Sequence, residues 1–75
     1  MRRVGTVVRM AQGVVLARSS DEGHPDIGEE VVDEGLDPAG RVVDVIGPVA
    51  RPYVVISPAE GCSAASLLNE RLYVR

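Results

Sequence analysis

Residues 40–58 read GRVVDVIGPVARPYVVISP. Two runs rich in β-branched side chains, Arg41–Ile46 and Pro52–Ser57, flank a short connection, Gly47-Pro48-Val49-Ala50-Arg51. Val and Ile have a stiff χ1 and pack well on a pleated surface, so both runs are expected to be strands. Pro52 suits the first position of a strand, where its missing N–H need not join the ladder. Pro48 and Pro52 lock φ and stiffen the connection between the runs.

The same grammar extends in both directions. Val4–Met10 and Val14–Arg18 read as strands, with Ala11-Gln12-Gly13 between them and a glycine that permits the positive φ of a hairpin turn. Strict alternation would put Thr6, Val8 and Met10 on one face and Gly5, Val7 and Arg9 on the other. Ser19–Gly28 is a polar loop, Glu30–Asp33 a short strand, and Glu34–Gly40 a turn carrying two glycines and a proline. After the fourth long strand, Pro58–Ala65 is a loop of small residues. Ser63–Asn69 allows one helical turn, too short to stand unaided, and Leu72–Val74 would close the set.

Fourteen of the 75 residues are Val, Phe and Trp are absent, and eight Gly and five Pro punctuate the chain at short intervals. Six short strands in this length predict an all-β domain over residues 1–75, a small closed or nearly closed barrel. Closure would remove the edges that invite aggregation. A chain this short makes one domain at most and buries a modest fraction of its surface, which disfavours a self-contained catalytic cleft.

Charge narrows the function further. The net charge is −3, every basic side chain is Arg, and eight of the eleven acids fall between Asp21 and Asp37. That segment would repel a phosphate backbone, and no basic face is visible. Acids without any Lys also suit a salt-rich cytoplasm. Cys62 is the one cysteine, so no internal disulfide forms, as in a reducing cytoplasm. No signal peptide or membrane-length apolar run is seen, and a cytoplasmic location is expected.

The sequence offers little to an enzyme. His24 is the one histidine and sits beside Pro25 in an acidic loop. A general base needs a nucleophile and an orienting group, and nothing places either near it. Cys62 has Gly61, Ser63 and Ala64 as neighbours, none of them a base, and reads as an inert thiol. One His and one Cys make no structural zinc site. Asp21, Glu22, Asp26, Glu29 and Glu30 lack the spacing of a calcium loop and read as a solvated face. No glycine-rich phosphate cradle is present, and no catalytic residue, metal or cofactor is expected.

The 47–52 connection remains. A rigid loop with an apolar tip, Val49, and an adjacent Tyr53 makes a good docking surface, because little entropy is lost when it binds. A tight structural turn with Tyr53 packed beneath it is an equally good reading of the same residues.

Residues 40–58 also resemble a known family. They match throughout the pattern G-x-V-x-D-V-F/I-G-P-V-x-x-P-Y-V-x-I-x-P of the glycine-arginine-rich (GAR-type) subunit of H/ACA ribonucleoproteins, the Gar/Naf family, in its archaeal form. RRVGTVVRMAQGVVLAR at 2–18 is similar to the family's first hairpin. VVDEGLDPAGRV at 31–42 is similar to the lead into the motif, and RLYV at 71–74 to the closing strand. The resemblance implies a six-stranded Greek-key barrel of the translation-factor (reductase/isomerase/elongation factor) type. It implies a non-catalytic subunit that binds the pseudouridine synthase catalytic subunit, the relative of dyskerin, and aids loading and release of substrate RNA. Guide and substrate RNA would be met indirectly, through the complex. Gly47, Pro48, Val49, Pro52 and Tyr53 match the motif and would form the partner-facing rim, with Ile46 beside them. Asp44 also matches, and a structural role serves it equally well. The arginine-glycine tails of eukaryotic members are not in this sequence, and no function attaches to Arg51 or Ser57.

Other readings compete. An assembly factor of the same family would use the same barrel, although such proteins carry long extensions. A translation-factor-like or ribosome-maturation barrel would bind RNA or a ribosomal protein directly, and binding to bare RNA at low salt would favour it.

Overall fold

The computed structural model describes residues 2–19 and 25–74. His24, Asp21 and Glu22, weighed above as loop residues, lie outside them. Six strands form: β1 (Arg2–Ala11), β2 (Val14–Arg18), β3 (Glu30–Val32), β4 (Pro38–Ile46), β5 (Tyr53–Pro58) and β6 (Arg71–Val74). One short helix, α1 (Ala64–Leu67), precedes β6. The expected strands are all present, but β3 stops at Val32, because Asp33 turns its carboxylate to the Gly35 and Asp37 amides, and β5 begins at Tyr53, so Pro52 belongs to the connection and not to the strand.

Every pairing is antiparallel and the sheet closes in the order β1-β2-β5-β4-β3-β6, with β6 returning to β1. β3, β4 and β5 follow one another as hairpins, and β6 crosses back to lie beside β3. That 4-1-2-3 arrangement is a Greek key. The expected fold class therefore holds: a closed six-stranded Greek-key barrel.

The turns explain why the chain folds this way. Between β1 and β2, Gln12 (φ 48) and Gly13 (φ 84) are both left-handed, the signature of a type I′ turn. Between β3 and β4, the Asp33 carboxylate accepts from the Gly35 and Asp37 amides at 2.8 and 3.0 Å. This turn is complete by Asp37. Pro38 and Gly40 are thus free to pair with Val32 and Val31. The stretch 34–40, read above as all turn, gives its last three residues to β4.

Alternation fails in one place and succeeds elsewhere. In β1 the register shifts between Val7 and Arg9. Val7 is fully buried, whereas Val8, Arg9 and Met10 are all exposed. The two-faced pattern expected for Thr6, Val8, Met10 against Gly5, Val7, Arg9 therefore breaks, because a bulge adds one residue and re-aims those after it. In β2 and β5 alternation holds: Val15, Ala17, Val54 and Ile56 point inward.

The barrel interior is built from Val4, Val7, Val15, Val31, Val42, Val54, Ile56 and Leu72, with Leu67 of α1 packed onto it. Burying a side chain such as Ile56 or Leu72 contributes roughly 1.5–3 kcal/mol. α1 is held by Ser63, whose hydroxyl accepts from the Ala65 amide at 3.2 Å. The chain after it is tied to β1 at both ends of one residue. The Asn69 amide donates to the Val7 carbonyl and the Val7 amide donates to the Glu70 carbonyl, each at 2.9 Å.

Candidate functional site

β4 and β5 pair down to Ile46 opposite Tyr53, and the connection between them forms one rim of the barrel. Gly47 opens the connection at φ +92. A Cβ there would stand 3.2 Å from Cδ2 of Tyr53, so the backbone lies directly against the tyrosine ring. At the other end Pro52 is buried, and its carbonyl accepts from the Ser19 amide at 3.2 Å. Pro48, Val49, Ala50 and Arg51 are exposed between these two anchors, and Val49 is 95% exposed.

The six candidate residues thus separate by role. Ile46, Gly47, Pro48 and Val49 lie on the surface, Tyr53 is half-buried, and Pro52 faces inward. Pro52 is the one buried member of the set and anchors the end of the connection. The two readings of the connection are partly reconciled: Tyr53 packs against the turn, and Val49 stands clear of it.

This geometry makes a direct prediction. Gly47→Ala puts a side chain into the left-handed region and against the Tyr53 ring. A loss of roughly 1–2 kcal/mol is expected, seen as a lower urea midpoint with an unchanged slope. An unchanged midpoint would show that the Gly47–Tyr53 contact does not hold the loop.

Strand register extends the rim onto the outer wall of the barrel. Tyr53 lies between Ile46 on β4 and Arg18 on β2. The Arg18 guanidinium donates to the Tyr53 hydroxyl at 3.3 Å, and its Cζ is 5.4 Å from the ring centroid. An exposed cation–π contact of this kind is worth about 0.5–1 kcal/mol. A shallow cleft of about 340 Å³ follows, walled by Val8, Arg9, Leu16, Arg18, Ile46 and Tyr53. A second, of about 260 Å³, runs along the loop past Val45, Ile46, Gly47, Pro48, Val49 and Pro52. Ile46 is in the walls of both.

Sequence reading did not find Val8, Leu16 or Arg18. They belong to β1 and β2, and no local pattern shows that β2 lies beside β5. Asp44, left open between two roles, accepts a 2.8 Å bond from the Val45 amide at a bulge in β4. That is a structural duty, since it satisfies an amide where the ladder shifts.

Among the described residues no three His, Cys, Asp or Glu side chains come together to hold a metal ion. Cys62 is half-buried and packs against the core beside Ala64. A larger hollow of about 450 Å³ lies over β3, β4 and β5, with Ser57 and Arg41 in its walls and no imidazole or thiol. Among the described residues no helix is long and apolar enough to cross a membrane.

No family model matches the chain. It is similar to the H/ACA ribonucleoprotein complex subunit gar1 of Neosartorya fischeri, at 28% identity over 72 residues. That match takes in 95% of this chain and 34% of the fungal protein, so the chain spans about a third of its relative's length.

Proposed function

We propose that this chain is a non-catalytic accessory subunit of an H/ACA ribonucleoprotein, of the archaeal type, acting in the cytoplasm. It binds the pseudouridine synthase catalytic subunit through the rim at 46–53 and aids loading and release of substrate RNA. Guide and substrate RNA are reached through the complex.

The observation that carries the reading is the placement of Val49. A nearly fully exposed valine at the tip of a loop anchored at both ends costs little entropy to dock. It is not an isolated apolar residue, which would need no explanation. Pro48, Ile46, Tyr53, Leu16 and Val8 continue the apolar surface away from it. Likeness to a protein named as an H/ACA subunit supports the identity of the complex.

The test is a pull-down of the synthase catalytic subunit by the purified chain, with and without guide RNA. Capture in both conditions is the expected result. Capture only when RNA is present would refute direct protein–protein docking. The second reading, a barrel that binds RNA itself, draws on the exposed Arg18 stacked at Tyr53, since such pairs can receive a base. Retention of bare RNA at low salt, without the synthase, would favour it.

A further inference from the structure

Arg9 and Arg18 both border the cleft on the outer wall, and Leu16 separates them. Leu16 pairs with Arg9 across β1–β2 and lies two residues before Arg18 on the same face of β2. Among the described residues neither guanidinium has a carboxylate within ion-pair distance; the two ion pairs join Arg2 to Glu29 and Arg41 to Glu30. Glu70, whose carbonyl accepts from the Val7 amide on β1, and Asp44 on β4 take part in neither of those ion pairs.

The cleft and the loop share Ile46, so a body seated on Val49 that follows the surface along Ile46 reaches these arginines. Burying a guanidinium without a partner is costly. We infer that the docking surface extends from the rim onto the β1–β2 wall, and that the protein seated there presents an Asp or Glu carboxylate to Arg9 and Arg18, set within an apolar border. This rests on the reading that a protein partner docks on the rim.

Charge complementarity selects a carboxylate over an RNA phosphate. Four of the six wall residues are Val8, Leu16, Ile46 and Tyr53, which suit an apolar protein surface. A phosphate backbone is bound through a long series of cations, and each contributes by releasing counterions. Here two arginines stand on a chain of net charge −3, with Glu29, Glu30, Asp33, Glu34 and Asp37 around β3. A guanidinium also matches a carboxylate's two oxygens in one plane.

Binding of the purified synthase catalytic subunit would be titrated with the wild-type chain and with Arg9→Glu, Arg18→Gln and Val49→Glu. The hydrogen bond and the cation–π contact of Tyr53 are made by Arg18, so Arg9→Glu removes neither. The expected result is a loss of about 30-fold or more for Arg9→Glu, with unchanged thermal unfolding, and a smaller loss for Arg18→Gln, which also gives up its contact with Tyr53. Wild-type binding should weaken between about 0.1 M and about 1 M salt, where the screening length falls from about 10 Å to about 3 Å, and Arg9→Glu should lose that dependence. Wild-type affinity in Arg9→Glu, with Val49→Glu still failing to bind, would overturn the carboxylate contact and leave the rim reading intact. Failure of the wild-type chain to bind the synthase would overturn both. Intact synthase binding by the arginine variants, with retention on bare RNA lost, would overturn it in favour of phosphate.

Discussion

Gly40→Ala is expected to destabilise the barrel by about 3 kcal/mol. Gly40 sits in β4 between Val31 of β3 and Pro58 of β5. A Cβ built there overlaps the Ser57 carbonyl oxygen and stands 2.8 Å from Cγ2 of Ile56. A side-chain neighbour could turn away, but a backbone carbonyl in a ladder cannot move without breaking the pairing. Glycine inside a strand often marks such a close approach of another backbone. Overpacking in a rigid site costs typically 1–3 kcal/mol and occasionally more, and the upper end, about 3 kcal/mol, is expected. A domain of 75 residues has roughly 4–11 kcal/mol in hand, so the loss takes a large share of it. The midpoint of thermal unfolding by circular dichroism should fall by roughly 12–24 °C. A variant melting within a few degrees of wild type would show that β4 and β5 can separate at this point at small cost.

Val49→Glu is expected to leave the free barrel unaltered and to abolish partner binding. The side chain is 95% exposed, so a carboxylate there stays in water and folding stability should not move. In a complex that seats Val49 in an apolar pocket, the same carboxylate would be desolvated without a partner. An interface residue near the centre commonly carries 2 kcal/mol or more, so an affinity loss of at least about 30-fold is expected. Calorimetric titration of the synthase subunit, paired with melting of the free variant, separates the two quantities. Unchanged affinity would remove Val49 from the interface. Tyr53→Ala is a less clean probe of the same site. Its ring supports Gly47 and meets Arg18, so that variant disturbs the loop as well as the surface.

The division of labour between these two positions shows what was legible. The hairpin from Arg41 to Ser57 could be read from local chemistry, because β-branched runs and two prolines restrict the chain within a few residues. The exposure of Val49 followed from its place at a stiff tip. The inward turn of Pro52 could not be read, since it depends on the Ser19 amide donating to its carbonyl. The bulge at Val8 was equally hidden: alternation is a local rule, and the register shift arises where β1 answers to β2 on one side and β6 on the other.

Sequence by itself determined the number of strands, the turn chemistry at Gln12-Gly13, and a rigid apolar tip at Val49. These are set by dihedral preferences and hydrogen bonds among near neighbours. Only the tertiary structure decided that β2 lies beside β5, bringing Arg18 to Tyr53 and joining Val8 and Leu16 to the rim. That neighbourhood comes from closing the barrel, and closure is governed by how all six strands share one interior, which no short stretch of the chain encodes.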